Sequence, residues 1–341
     1  MTAVATERDT AREITEKPRR PVLHHAVTLM LWLGVMPFAV WAALRLGDFE
    51  TGFTWVQLVP FTPYVAVASL IPVVLALGLR RRWTLFGALV VTATLAGAVL
   101  PRALPDMNPA AAGPGLRVLA ANLALGEVPP ERIVELVRRQ RADVLALQEL
   151  TPGAVAALRK AGLTTLLPYR LVRAAAGGGG SGVYARHPVR AEHPAIEIGG
   201  FRQVRALLSV PGGPPVEVVS VHPCAPSAAD RHECWAAGLR ALPPADPSSP
   251  VRILAGDFNA TLDHRILRDL ISTGYRDAAD VIGDGLTATW PYGDWPTPIP
   301  WVTLDRVLAD RRVAVQDFGV FPLPGGDHRA VFAALTLPGP G

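Results

Sequence analysis

The chain has 341 residues, half of them hydrophobic and only 18% charged, with two cysteines and a formal net charge of +4. Soluble domains carry about 25% charged residues, so this composition excludes disorder, collagen-like repeats and a disulfide-dense miniprotein. The basic balance gives a pI near 9.4. It resides in the N-terminal part, because residues 107 onward hold 23 Lys+Arg against 22 Asp+Glu. A duplex-DNA binder depends on phosphate contacts and normally advertises a basic face, which this near-neutral part does not.

In chain order, a tail over residues 1–25 precedes three apolar runs, 26–46, 58–79 and 84–100. Crossing a bilayer takes about 20 residues (range about 17–25), so each run predicts a transmembrane helix. Arg45 is the one charge inside them and sits at an end, where it is expected to snorkel. Lys17, Arg19 and Arg20 precede the first run, and Arg80, Arg81 and Arg82 join the second to the third. The first loop instead carries Asp48 and Glu50. The positive-inside rule then places the N-terminus in the cytoplasm and everything after the third run outside a plasma membrane.

Residues 101–115, rich in Pro, Ala and Gly, read as a linker to an outer domain over 116–337. Strand patterns are expected at 116–123, 143–149, 182–186, 204–210, 216–222, 252–255, 303–309 and 328–337. Helices are expected at 131–141, 228–242 and 263–273. This mixed order predicts a layered α/β domain with many hairpins. Gly177–Gly180 lacks the Gly-Lys-Ser/Thr ending of a phosphate loop and reads as a hinge or loop.

Polar residues end or interrupt these apolar strands where packing alone does not ask for them. Asn122 closes LRVLAAN, Glu149 closes ADVLALQE, and His222 closes VEVVSVH. Asp257 and Asn259 follow RILAG, Asp305 lies in WVTLDRVL, and Asp327 and His328 open DHRAVFAALTL. Singly, each has an ordinary reading as a turn former, a helix cap or a core histidine. Gathered on one rim, carboxylates, amide and imidazole suit a hard divalent cation and a phosphate.

The order N…QE…H…GDFN…LD…DH resembles the endonuclease/exonuclease/phosphatase superfamily, most specifically in GDFNA (256–260) and GDHRAV (326–331), with support from LALQE (145–149). HPCAPS (222–227) is also similar to the histidine segment of secreted deoxyribonucleases. The resemblance implies a DNase I-like, four-layer sandwich of two packed β-sheets flanked by helices. It implies Glu149 as the main ligand of Mg2+ (or Mn2+), with Asn122 and Asp327 beside it. Asp257 and Asn259 would deliver water and hold phosphate, His328 would contact the phosphate, Asp305 would fix its ring, and His222 would be a second imidazole. Arg186 and Trp290 would line the substrate site. Two departures stand out: Ala124 replaces an acidic residue common in the family, and Ala185 replaces a hydroxyl residue before Arg186.

His222, Cys224, His232 and Cys234 admit three readings: zinc ligands, two free thiols, or a Cys224–Cys234 disulfide. The segment 289–301, with Trp290, Trp295 and Trp301, reads as a packed loop beside the site or as an interfacial wall for a lipid. The three-helix anchor followed by this domain also resembles teicoplanin-resistance membrane proteins of the VanJ type. That resemblance implies a phosphoric ester or anhydride hydrolase acting on undecaprenyl pyrophosphate or another polyprenyl phosphate. The alternatives are an anchored nuclease, a sphingomyelinase-like phospholipase C, and a non-catalytic lipid- or antibiotic-binding module.

Overall fold

The computed structural model describes residues 20–47, 52–293 and 299–339, with side chains from residue 23 onward. Lys17, Arg19, Asp48, Glu50, Trp295 and the side chain of Arg20 lie outside the described residues. Among the described residues three helical stretches are long and apolar enough to cross a membrane: Leu23–Leu46, Gly52–Gly78 and Arg82–Ala103. The second is broken by a 3-10 turn at Val59–Phe61, beside Pro60 and Pro63, and again at Ser69, three residues before Pro72; proline rings cannot continue regular helical hydrogen bonding. Large apolar side chains such as Met30, Val67, Trp83 and Phe86 point outward from these helices.

The remainder is built on fourteen strands: β1 (Gly115–Asn122), β2 (Val144–Gln148), β3 (Tyr169–Arg173), β4 (Ser181–Ala185), β5 (Val189–Arg190), β6 (Ile196–Ile198), β7 (Phe201–Gln203), β8 (Arg205–Leu208), β9 (Val216–Val221), β10 (Val251–Asp257), β11 (Tyr275–Asp277), β12 (Asp305–Asp310), β13 (Ala314–Pro322) and β14 (Arg329–Thr336). One six-stranded sheet runs β13-β14-β1-β2-β4-β3 and a second runs β11-β12-β10-β9-β8-β5, with β6 and β7 as a separate hairpin. β1 pairs parallel with β2, and β9 with β10, while the flanking pairs are antiparallel. The two sheets face each other through Val118, Ala120, Ala146, Val218, Ile253 and Val307.

The opposite face of the first sheet packs Leu119, Ala121, Leu145 and Leu147 against Ile133, Val137 and Leu158 of helices Pro130–Gln140 and Pro152–Lys160. The second sheet packs Val219, Val221 and Leu254 against Trp235, Leu239 and Leu267 of helices His232–Arg240 and Arg265–Ser272. This is the expected four-layer sandwich. It also explains why the central strands read as continuous apolar runs, since both faces are covered.

The apolar helices dock directly on this sandwich. Val56 is 1% exposed and belongs to the cluster around Trp235. Arg45 does not snorkel: it is buried, and its Nε lies 3.0 Å from Asp263 Oδ1. Arg102 holds the same carboxylate with two hydrogen bonds, at 2.8 and 2.6 Å. An unpaired guanidinium at this junction would be costly, and Asp263 supplies the counter-charge. The segment before β1 is also bound to the domain, through Asp106 N–H to Val281, Asn108 to Val315 and Gly113 N–H to Leu337.

Candidate active site

The register brings the strand-end residues together. Asn122 is opposite Gln148 across the parallel β1–β2 pair, so Glu149 lies one step beyond it. Val221 is opposite Gly256, which sets His222 beside Asp257, and Asp257 is itself opposite Asp305. His328 immediately precedes β14, which pairs with β1. Six chain segments from both sheets therefore deliver their polar residues to one rim.

Hydrogen bonds fix them there. Asn122 Nδ2 donates to Asp257 Oδ2 at 3.3 Å and to Glu149 Oε1 at 3.4 Å. Its own oxygen accepts from Ala124 N–H at 3.0 Å, and Leu125 N–H donates to Glu149 Oε2 at 2.8 Å. His328 Nδ1 lies 2.8 Å from Asp305 Oδ2, and His328 Nε2 lies 3.6 Å from Asp257 Oδ2. Thr289 Oγ accepts from the amides of Leu304 and Asp305, anchoring the start of β12. His222 Nδ1 donates to the carbonyl of Gly178 at 3.1 Å, which leaves Nε2 to face Asp257 Oδ2 at 3.6 Å and Glu149 Oε1 at 3.8 Å. Asn259 N–H donates to Asp257 Oδ1 at 2.8 Å, and Trp290 Nε1 donates to Asp327 Oδ2 at 3.4 Å.

The backbone around these groups is strained. Ala124, Leu125, Glu149 and Asn259 all have positive φ, between 45° and 58°. Each such non-glycine residue costs on the order of 1–3 kcal/mol and persists only where its surroundings impose it. Gly256, at φ 145°, is required for a different reason: a Cβ there would strike the Val221 carbonyl and the Gln148 amide.

Burial disfavours a charge on His328, but the carboxylates of Asp305 and Asp257 outweigh it and push the imidazole up to about 10. The rim thus gathers four carboxyl groups, those of Glu149, Asp257, Asp305 and Asp327, around two histidines. That excess of hard oxygen donors fits a divalent cation. The side-chain ligand atoms of Asp257, Asp305 and His328 lie within 4.8 Å of one another. The imidazole nitrogen facing Asp305 is already engaged in a hydrogen bond, whereas Glu149 and Asp327 are the carboxylates that open to the surface groove.

Arg186 is not part of this rim. Its Nε pairs with Asp143 Oδ1 at 2.8 Å and its backbone N–H donates to the Asp143 carbonyl. Asp143 precedes β2 while Glu149 follows it, so about 20 Å of strand separates Arg186 from the site. Trp290 does line the site cavity. Cys224 and Cys234 are bonded to each other, so among the described residues these sulfurs hold no place for zinc.

Sequence reasoning missed several contributors. The glycine run comes close to the rim: the Gly178 carbonyl is the acceptor for His222, and a side chain on Gly178 would lie against Glu149. Phe201 packs edge-on against His222, with centroids 5.3 Å apart. Gln203 accepts from the His222 amide. The absence of side chains at 177–180 was a signal for close backbone approach; Phe201 and Gln203 carried none.

Two packed mixed sheets with this rim define a phosphoester hydrolase. The chain belongs to the endonuclease/exonuclease/phosphatase family, whose model matches residues 119–328. Members of that family are metal-dependent phosphoester hydrolases that use divalent ions. Among solved structures, an endonuclease/exonuclease/phosphatase from Beutenbergia cavernae is 19% identical, with a TM-score of 0.51 over 66% of this chain and 72% of that one. A humanized TDP2 from D. rerio is 15% identical, TM-score 0.51, covering 65% of this chain and 98% of its own. An AP endonuclease from Archaeoglobus fulgidus is 13% identical, TM-score 0.51, covering 64% and 98%. At these identities the likeness concerns the fold. Comparison with curated proteins finds no match.

Proposed function

We propose that the protein is a Mg2+-dependent hydrolase of a lipid-linked phosphoric ester or anhydride at the outer face of the membrane, with a polyprenyl pyrophosphate such as undecaprenyl pyrophosphate as its substrate. The observation that carries this reading is that a phosphoesterase rim and three span-length apolar helices are docked on one another. In this reading residues 1–25 are cytoplasmic, 26–100 hold the anchor, 101–115 connect, and 116–337 form the outer domain. Nucleoside triphosphates and chromosomal DNA are scarce outside the cell, whereas lipid phosphates are concentrated at the leaflet. The VanJ-type resemblance supports a role in cell-envelope metabolism or glycopeptide resistance.

Glu149, with Asn122 and Asp327, would hold the metal. Bound there, the ion neutralises phosphate and leaving-group charge. Asp257 accepts the proton of the attacking water, and Asn259 keeps the Asp257 carboxylate oriented through its amide. His328, kept protonated by Asp305, donates to a phosphate oxygen, and His222 faces the same place from β9. Little covalent chemistry is asked of the protein, so positioning and electrostatics carry the acceleration. An anchored nuclease is the second reading, favoured by HPCAPS and by the fold shared with an AP endonuclease.

The test offers undecaprenyl pyrophosphate and supercoiled plasmid in parallel to detergent-purified protein with Mg2+, using Asp257→Ala as control. Phosphate release that disappears in the variant, with intact plasmid, supports the lipid reading. Plasmid nicking without phosphate release replaces it with the nuclease.

A further inference from the structure

The site opens into a cavity of about 870 Å³ whose polar end is formed by Glu149, His222, Asp257 and His328. One of its walls comes from outside the sandwich: Val56, Gln57, Leu58, Pro60 and Phe61, the beginning of the second span-length helix. Besides Ser227, Arg231 and His264, the lining includes a second apolar stretch: Trp290, Ile299, Pro300 and Val302. Apart from Gln57 the nine residues of these two stretches have no polar side chain but the indole of Trp290, whose N–H is turned to Asp327. Two apolar stretches beside the site can cover apolar ligand surface, which is how such pockets gain affinity.

The first wall is fastened in place from three directions. Gln57 donates to the carbonyl of Pro226, His264 Nε2 donates to the carbonyl of Val56 at 3.0 Å, and Tyr64 Oη donates to the carbonyl of Trp301 at 2.8 Å. Leu58, by contrast, is 42% exposed and Phe61 is half-buried, so their side chains are available to a ligand. On the other side of the rim a separate groove of about 630 Å³ is lined by Ala124, Glu127, Tyr292 and Gly325. Glu149 and Asp327 line both spaces. Glu149 and Asp327 therefore adjoin both the cavity with the apolar lining and the groove beside Glu127.

We infer that the 56–61 segment is a substrate-binding element of the site: the hydrocarbon chain beyond its first isoprene unit lies between Leu58, Phe61 and the Trp290–Val302 wall, and the rest of the head group extends into the Glu127–Tyr292 groove. The inference rests on the proposed lipid substrate and adds which residues select for it. Because the wall continues into an apolar helix long enough to span a bilayer, a chain leaving the cavity stays in contact with apolar surface. The segment acts on binding and not on the chemical step, so its removal raises KM for chain-bearing substrates and leaves kcat nearly unchanged.

The test uses the full-length protein in detergent with Mg2+ and a chain-length series: isopentenyl, farnesyl and undecaprenyl pyrophosphate. Phe61→Gln and, at the more exposed position, Leu58→Gln are compared with the parent, with thermal unfolding as a folding control. The parent is expected to prefer the longer chains. Each variant is expected to lose about tenfold in kcat/KM on undecaprenyl pyrophosphate, through KM, with less than about twofold change on isopentenyl pyrophosphate. Equal losses on all three substrates, no loss on any, or a parent indifferent to chain length overturns the inference while leaving the lipid hydrolase in place. A folded parent that releases phosphate from none of the three removes the lipid reading itself, and the inference with it.

Discussion

Asp305 Oδ2 and His328 Nδ1 meet at 2.8 Å although they come from different sheets, Asp305 from the start of β12 and His328 from the residue before β14. Both are buried. The contact clamps the two sheets at the rim and fixes the ring so that Nε2 points towards Asp257. Asp305→Asn keeps the shape but removes the charge that holds the proton on the ring. A fall in kcat of about 10²–10⁴-fold with little change in KM is expected. Steady-state kinetics on phosphate release measures it, and a variant that loses only KM would assign His328 to ground-state binding.

Arg186 provides the opposite expectation. Its side chain is 45% exposed and its partner Asp143 18% exposed, at the far end of β2 from Glu149. Exposed pairs contribute about 0–1 kcal/mol. Arg186→Ala is therefore expected to leave kcat/KM within about twofold and to lower stability by at most about 1 kcal/mol. A large loss of activity in a folded variant would show that the position reaches the substrate after all.

These two residues illustrate what was legible in the sequence. The strands that carry the rim are buried on both faces, so each ends visibly where an apolar run meets Asn122, Glu149, His222 or Asp257. Arg186 enters the expected site only through the family resemblance, as the residue that follows β4. However, β4 is antiparallel to β2, so its C-terminal end lies at the opposite edge. Strand direction is a long-range property and left no mark in the local pattern. The nine-residue β13 was missed for a local reason: a bulge between Val315 and Asp317 breaks its alternation, and it is an edge strand with several exposed residues. Of the apolar wall, composition assigns 58–61 to a membrane span and leaves Val56 and Gln57 before it, and only tertiary docking puts these residues in one cavity with Asp257.

The junction between helices and sandwich depends on Asp263. Its carboxylate is buried and accepts from both Arg45 and Arg102, which are themselves buried. Asp263→Ala leaves two guanidinium groups without their counter-charge, and a loss of about 3–5 kcal/mol is expected. Replacing all three, as Arg45→Met, Arg102→Met and Asp263→Leu, removes the charges together and is expected to restore most of that stability. Thermal unfolding in detergent checks both. If the single variant unfolds at the parent temperature, the triad contributes nothing at the junction.

His264 makes the same junction sensitive to acid. Its Nδ1 accepts from Thr261 N–H at 2.9 Å and its Nε2 donates to the Val56 carbonyl at 3.0 Å. Both nitrogens are thus used by the neutral ring, and Nδ1 has no room for a second proton. Burial is the larger cause, and it pushes the imidazole down to about 4 despite the nearby Asp263 carboxylate. In the unfolded chain the same group titrates near its ordinary value of about 6.5. Between those two values the unfolded state binds a proton that the folded state refuses, so stability falls as pH drops from about 6.5 towards 4. Below about 4 both states are protonated and this contribution falls no further. The full loss is about 3 kcal/mol by linkage. A His264→Gln variant retains one donor and one acceptor but cannot be protonated, and is expected to show a shallower decline over that window. Unfolding midpoints of parent and variant at pH 7 and pH 4.5 make the comparison. Equal slopes would mean that the buried ring takes up its proton without breaking the contact to Val56.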